Sequence, residues 1–252
     1  MTISRALWLL FVVFGCTSKH IKPAHFDADP STIVNGLKQC AEGFTEISGR
    51  IETTLWRDGE RIRLEQLFLR AKSGNLRLDT LSPIGQSLST VVYDGGRLLI
   101  LDHPHNEFFI GAANREVMKR FLYVDLDPDA LSTLLGGCVP FTTGTPSQVS
   151  WDAETNRSTV TLTEGQQITQ LWFENGDEVR RVDSKANGKV YRLLLGDYQS
   201  VGRQKRPNRL KFEDTTQDFT IEFRLSDLRT LEQIPASSFL LSPPPGAKVR
   251  PL

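Results

Sequence analysis

Residues 47–70 read ISGRIETTLWRDGERIRLEQLFLR. In the first half, Ile47, Gly49, Ile51, Thr53 and Leu55 alternate with Ser48, Arg50, Glu52, Thr54 and Trp56. In the second half, Ile62, Leu64, Gln66, Phe68 and Arg70 alternate with Arg61, Arg63, Glu65, Leu67 and Leu69. A period of two places successive side chains on opposite faces of a strand, so each half reads as a strand with one apolar side. Between them Arg57-Asp58-Gly59-Glu60 supplies an Asp-Gly turn, whose residues tolerate the positive φ angles of a tight hairpin. The stretch is an antiparallel hairpin.

The same signals continue outward. Strands are expected at 75–81, 87–93 and 97–102, the last entered through Asp94-Gly95-Gly96. They resume at 148–151, 158–163, 168–173, 178–185, 190–198, 209–213 and 219–225, with Asn175-Gly176 and Asn187-Gly188 as hairpin turns. Helical spacing precedes the sheet at 31–41, where Ser31 can cap and Ile33, Leu37 and Cys40 share a face. It returns at 114–122 through Val117, Met118, Phe121 and Leu122. At 127–136, Asp127 is the N-cap, Pro128 takes the first helical position and Gly136 ends the helix. Leu131, Leu134 and Leu135 form its apolar stripe. The fold class is mainly β with inserted helices: one antiparallel meander of about eleven strands, long enough that it must curl or close. Helices inserted midway would cover its concave face.

Ahead of this domain, residues 1–15 read MTISRALWLLFVVFG, a single Arg5 followed by an apolar run shorter than the ~20 residues of a membrane-spanning helix. That is the layout of a signal peptide, and Cys16 follows directly on Gly15. The arrangement resembles the lipobox of bacterial lipoproteins, in which the cysteine is acylated and becomes the first residue. The other readings are a short uncleaved anchor and a chance cysteine. Thr17 rather than Asp behind the cysteine implies, in a Gram-negative cell, sorting to the outer membrane with the domain on the periplasmic side. Residues 16–30 then form a polar, Pro-containing tether, and 31–252 the folded domain.

Lys and Arg balance Asp and Glu at 30 each, and loss of Arg5 with the signal leaves a net charge of −1. The charges are interspersed, which argues against a nucleic-acid partner. Arg203-Gln204-Lys205-Arg206 is the one basic run and reads as a solvated turn. After Cys16, two cysteines remain, Cys40 and Cys138; export would favour a disulfide, two buried thiols being the alternative. His103-Pro104-His105 offers two ligands in an extended segment without a third at a metal-site spacing. No Gly-x-Ser-x-Gly elbow and no phosphate-binding glycine loop occurs. An enzyme, a metal site and a cofactor are not expected.

Four segments in a fixed order carry a resemblance. Gly49-Arg50-Ile51 opens the first strand, and Leu81-Ser82-Pro83-Ile84-Gly85-Gln86 links two strands. Leu131-Ser132-Thr133-Leu134-Leu135-Gly136 forms the central helix, and Phe239 to Ala247 (FLLSPPPGA) closes the chain. Together they resemble the LolA/LolB superfamily, and Cys16 favours its lipid-anchored receptor branch over its soluble carriers. The resemblance implies an unclosed antiparallel β-barrel with a helical lid over an apolar cavity for acyl chains of lipoproteins or other lipids. It implies delivery of that cargo to the outer membrane, a soluble LolA-like carrier as donor, and a monomer. Cavity walls are expected at Ile51, Leu64, Leu78, Val92, Leu99 and Leu193, and lid contacts at Leu131, Leu134 and Leu135. Pro83-Ile84-Gly85 matches the family's membrane-insertion loop. A structural or assembly scaffold with a filled barrel, tethered to the same membrane, is the alternative.

Overall fold

The computed structural model describes residues 30–43, 45–124, 126–140, 144–174, 178–186, 189–202, 204–214 and 219–252. The signal segment, Cys16, the tether and the two Asn-Gly turns lie outside the described residues. The elements run α1 (Pro30–Glu42), β1 (Glu46–Arg57), β2 (Glu60–Arg70), β3 (Leu76–Leu81), β4 (Ser87–Tyr93), β5 (Arg97–Asp102) and β6 (Glu107–Ala112). Then come α2 (Arg115–Leu122), α3 (Pro128–Leu135), β7 (Thr145–Asp152), β8 (Arg157–Glu164), β9 (Gln167–Glu174) and β10 (Glu178–Ala186). The chain ends with β11 (Lys189–Val201), β12 (Gln204–Asp214), β13 (Phe219–Leu231), a 3₁₀ turn at Ala236–Phe239 and β14 (Lys248–Pro251).

The fourteen strands of the described residues form one unclosed sheet, in the order β14-β6-β5-β4-β3-β2-β1-β13-β12-β11-β10-β9-β8-β7. Two meanders of hairpins therefore meet at a seam, β1 against β13, and leave β14 and β7 as edges. The opening hairpin is as expected: Arg57 pairs with Glu60, and Asp58 (φ 52°) and Gly59 (φ 79°) hold the two left-handed positions of the turn. Gly49 is required for a different reason. A bulge brings Ser226 and Leu228 of β13 so close that a β-carbon there would meet Leu228 Cδ2 at 2.6 Å and Phe68 Cε1 at 2.7 Å.

The strand count exceeds the expected one. β6 leaves no strand signal because Glu-Phe-Phe-Ile-Gly-Ala does not alternate, and β14 leaves none because its four residues are all exposed. β14 exists by pairing parallel to β6, Val249 opposite Phe108. β12 starts earlier than expected and runs through Pro207, which is tolerated because β13 pairs with β12 only from Arg209 onward. Helix α1 starts at Pro30, so Ser31 lies inside it and not at the cap. α3 begins as read, after Asp127, while α2 begins one residue later than expected, because Asn114 is its cap and accepts from Val117 N at 3.0 Å.

The sheet has two buried faces. On the concave face a single core joins Ile47, Ile51, Leu55, Phe68 and Phe223 with α2 and α3. On the convex face of β2–β6 a smaller core forms where Ile234 and Phe239 of the C-terminal segment cover Val92, Leu99, Leu101 and Phe108. At roughly 25 cal/mol per Å² of apolar area removed from water, each face is stabilised mainly by burial.

Candidate functional site

The concave face is built by strand parity. Ile51, Leu78 and Leu193 stand in its core, and the lid helix α3 contributes Leu131, Leu134 and Leu135, each nearly inaccessible to solvent. Leu64 lies opposite Thr53 on the same face but is only half-buried, toward the hairpin end, and is outside that core. Val92 and Leu99 do not share this face. They pair with each other and pack beneath the C-terminal segment on the convex side, so their expected place in a cavity wall is corrected. The cause is that β4 and β5 are buried on both faces there, so Val91 to Tyr93 and Leu98 to Leu101 carry no alternation to reveal which side is which.

Between β3–β5 and the helices α2 and α3, the free space is about 10 Å³, lined by Leu78, Tyr93, Met118, Leu122 and Leu131 among others. That is about the size of one water, so α2 and α3 pack closely on the sheet at this point. At the hairpin rim the concave face opens. Leu55, Ile62 and Tyr123 flank a space of about 380 Å³, with Ile62 and Tyr123 each 42 % exposed. Between rim and core a polar row crosses three strands: Thr53 Oγ1 donates to Gln66 Oε1 (2.8 Å), and Gln66 Nε2 donates to Thr80 Oγ1 (3.2 Å).

Among the described residues, four attachments of the lid stand out. Near the start of α3, Tyr93 donates to Asp129 Oδ1 at 2.6 Å; burial and that hydrogen bond push the phenol's pKa upward. At its C-terminal end two buried guanidinium groups meet the backbone. Arg70 Nε donates to Ser132 O (2.8 Å) and to Ser132 Oγ (3.2 Å), while Ser132 Oγ donates to Gly74 O (2.7 Å). Arg206 Nη1 donates to Gly136 O, and its Nη2 donates to Thr45 Oγ1 at 3.0 Å. Carbonyls at a helix C-terminus carry partial negative charge, which cations satisfy. Burial, with repulsion from Arg206, lowers Arg70 to about 10, and burial lowers Arg206. The fourth attachment is the Cys40–Cys138 disulfide, Cα–Cα 5.9 Å, which ties α1 to the segment after α3. The pairing left open by the sequence is a bond in the structure.

Arg206 corrects a further expectation. The sequence pattern suggests a solvated turn, whereas the residue is 2 % exposed on β12 and grips the end of the lid; Lys205 beside it is exposed. Arg70 had a visible signal, since it shares the parity of Gln66 and Phe68, but its partner sixty residues away did not.

Pro83, Ile84 and Gly85 form the tip of the β3–β4 hairpin. Gly85 N donates to Ser82 O (2.8 Å), Gln86 N donates to Ser82 Oγ (3.0 Å), and Gly85 takes φ 81°. Pro fixes one side of this tight return and Gly permits the other, leaving Ile84 79 % exposed. The tip lies on the same rim as the Asp58-Gly59 turn and the opening beside Ile62, because Leu81 pairs with Glu65 of β2.

No family model matches the chain, and no curated protein matches it in sequence. Solved structures do match in fold. A DUF1329 family protein from Desulfovibrio piger superposes with a TM-score of 0.64 at 9 % identity, covering 84 % of this chain and 95 % of its own. An outer membrane lipoprotein-sorting protein domain from Vibrio parahaemolyticus gives 0.60 at 11 %, covering 84 % and 97 %. A LolA superfamily protein from Nitrosomonas europaea gives 0.59 at 12 %, covering 82 % and 97 %. The unclosed sheet with its three helices is a LolA/LolB-like fold.

Proposed function

We propose that the chain is a non-enzymatic lipid carrier: it takes acyl chains of a lipoprotein or another lipid between the concave sheet and the lid and passes them to a membrane. The observation that carries this reading is the construction of the lid. Two helices of eight residues each, α2 and α3, cover a continuous apolar sheet face, and polar contacts together with the Cys40–Cys138 disulfide beyond α3 hold them from their ends. Cargo entering between β3–β5 and these helices would displace them, since the space there has no room for a chain. Each methylene taken from water contributes roughly 0.8 kcal/mol, so the chamber needs apolar area and no reactive group. The lipid-anchored start at Cys16, the outer membrane as its location and a soluble LolA-like donor belong to the same reading. It is supported by the fold shared with a lipoprotein-sorting domain and by the exposed Ile84 beside the mouth.

A filled scaffold is the second reading, favoured by the packing beneath α2 and α3. Binding of a fluorescent fatty acid by wild type and Leu134→Glu, set against thermal unfolding of both, separates the two. A carrier loses binding more than stability, because its lid can swing out to solvate the charge. Loss of stability together with no acyl binding by the wild type refutes the carrier and leaves the scaffold.

A further inference from the structure

The convex face carries a second concavity that the chamber does not explain. On β2, β1, β13 and β12 the outward side chains form rows across the sheet: Arg63 stands opposite Thr54, and Thr54 opposite Glu222. Glu52 stands opposite Arg224, and Arg224 opposite Arg209. Thr54 is short and 4 % exposed, so it makes a floor, and the long side chains around it wall a groove of about 440 Å³. Four guanidinium groups, of Arg61, Arg63, Arg209 and Arg224, face two carboxylates, of Glu52 and Glu222, a surplus of two positive charges in a nearly neutral protein.

The carboxylates do not use up the donors. Glu222 is buried and accepts from Arg209 Nη2 (3.0 Å) and Arg224 Nε (2.7 Å), which fixes both guanidinium planes at the floor. Arg63 donates to Glu52. Arg61 meets no carboxylate among the described residues; its guanidinium lies 5.6 Å from the centre of the Trp56 ring. Each arginine has five N–H donors, so most remain for a ligand, and planar forks suit the oxygens of a phosphate.

We propose that this groove binds a phosphate group carried on a polar molecule. The surplus charge matches a phosphate ester, and the volume exceeds a bare phosphate, leaving room for the group it is attached to. Trp56 and Arg61 sit one residue pair from the end of the β1–β2 hairpin, on the rim that carries Ile84. The phosphate can therefore come from a membrane headgroup or from a soluble ester. The site lies on the opposite face from the chamber and stands whether or not the chamber binds acyl chains.

The test uses the full chain in uncharged detergent micelles at low salt. Calorimetry follows glycerol 3-phosphate as the soluble probe and phosphatidylglycerol mixed into the micelles as the headgroup probe, with phosphatidylcholine as its zwitterionic counterpart. The double variant Arg61→Gln/Arg63→Gln should bind about tenfold more weakly. Glu52→Gln, which frees Arg63 and removes a negative charge from the groove, should bind about threefold more tightly. A response to glycerol 3-phosphate with this pair of opposite effects assigns a soluble ester; the same pair seen only with phosphatidylglycerol assigns the headgroup. No binding of either probe at millimolar concentration overturns the site, as does binding that both variants leave unchanged. Should the double variant unfold, tightening by Glu52→Gln still supports the site and weakening refutes it. Ile84→Glu must leave glycerol 3-phosphate binding intact, which keeps this result independent of membrane insertion.

Discussion

The disulfide offers a perturbation whose size can be worked in advance. Cys40 and Cys138 are separated by 98 positions, and between them run the first six strands and both lid helices. In the chain-entropy view, a cross-link closing about 100 residues removes freedom from the unfolded chain equivalent to about 4.7 kcal/mol. For a domain of 150–250 residues each kcal/mol moves the melting temperature by about 2–4 °C, so the Cys40→Ala/Cys138→Ala variant should melt roughly 10–20 °C below wild type. Loss of the small buried contacts of Cys138 adds little to this. The assay is circular-dichroism melting of oxidised wild type, of wild type unfolded and refolded in reductant, and of the variant. The last two should coincide. The staple also joins α1 to the end of the lid, so amide exchange at Ser132 to Gly136 should speed up more than in the distant β8–β9 hairpin. A variant melting within about 2 °C of oxidised wild type would refute the reasoning, and so would two titratable thiols in the unfolded, unreduced protein.

Three further outcomes follow from the geometry. Ile84→Glu should change stability by no more than about 0.5 kcal/mol, because the tip touches little, yet abolish delivery of a bound lipoprotein to liposomes while uptake persists. Uptake and delivery are to be measured separately, and normal delivery would rule out insertion by this loop. Gly49→Ala should cost about 1–3 kcal/mol in urea denaturation, since its β-carbon would lie within 3 Å of Leu228 and Phe68; an unchanged midpoint would show that the bulge can relax. Burial raises the carboxyls of Asp183 and Glu222, but hydrogen bonds and charge from Arg181 and Arg192, and from Arg209 and Arg224, outweigh it and hold both below their ordinary values of 3.8 and 4.5. Their stabilisation is therefore present above about pH 4.5 and is lost as pH falls through the lowered values. Urea midpoints from pH 7 to pH 2 should fall less steeply for Asp183→Asn/Glu222→Gln than for wild type, and parallel curves would count against it.

Where one sheet face is apolar and the other charged, the chain is legible. β1 and β2 alternate cleanly, and their turn carries the Asp-Gly pair that its left-handed backbone requires. The start of α3 is equally plain, through Asp127 with Pro128, whereas α2 shows itself by spacing alone and its Asn114 cap emerges only in the structure. Legibility fails where tertiary contacts replace local pattern. Val92 and Leu99 look like cavity residues because a C-terminal segment more than a hundred residues away covers the second face of their strands. Arg206 looks like a surface residue because the helix end that it grips is distant in sequence, and β14 is strand only because β6 offers an open edge. The seam itself, Glu46 opposite Leu231, leaves no mark on either strand.

That seam governs how the chain can come to be folded at all. Each meander consists of hairpins between neighbours, which close quickly, whereas β1 and β13 must find each other across almost the entire domain. A chain emerging in order from a ribosome or a translocation pore can assemble β1 to β6 long before β13 exists. Throughout that interval β1, twelve residues long with Ile47, Ile51 and Leu55 on one side, is a bare edge able to pair with any other extended chain. The final register must wait for residue 231, and the guard over the opposite edge, β14, for residue 251. Such a chain is at greatest risk of aggregation when it is almost complete, because β1 has no partner on its second edge until β13 arrives.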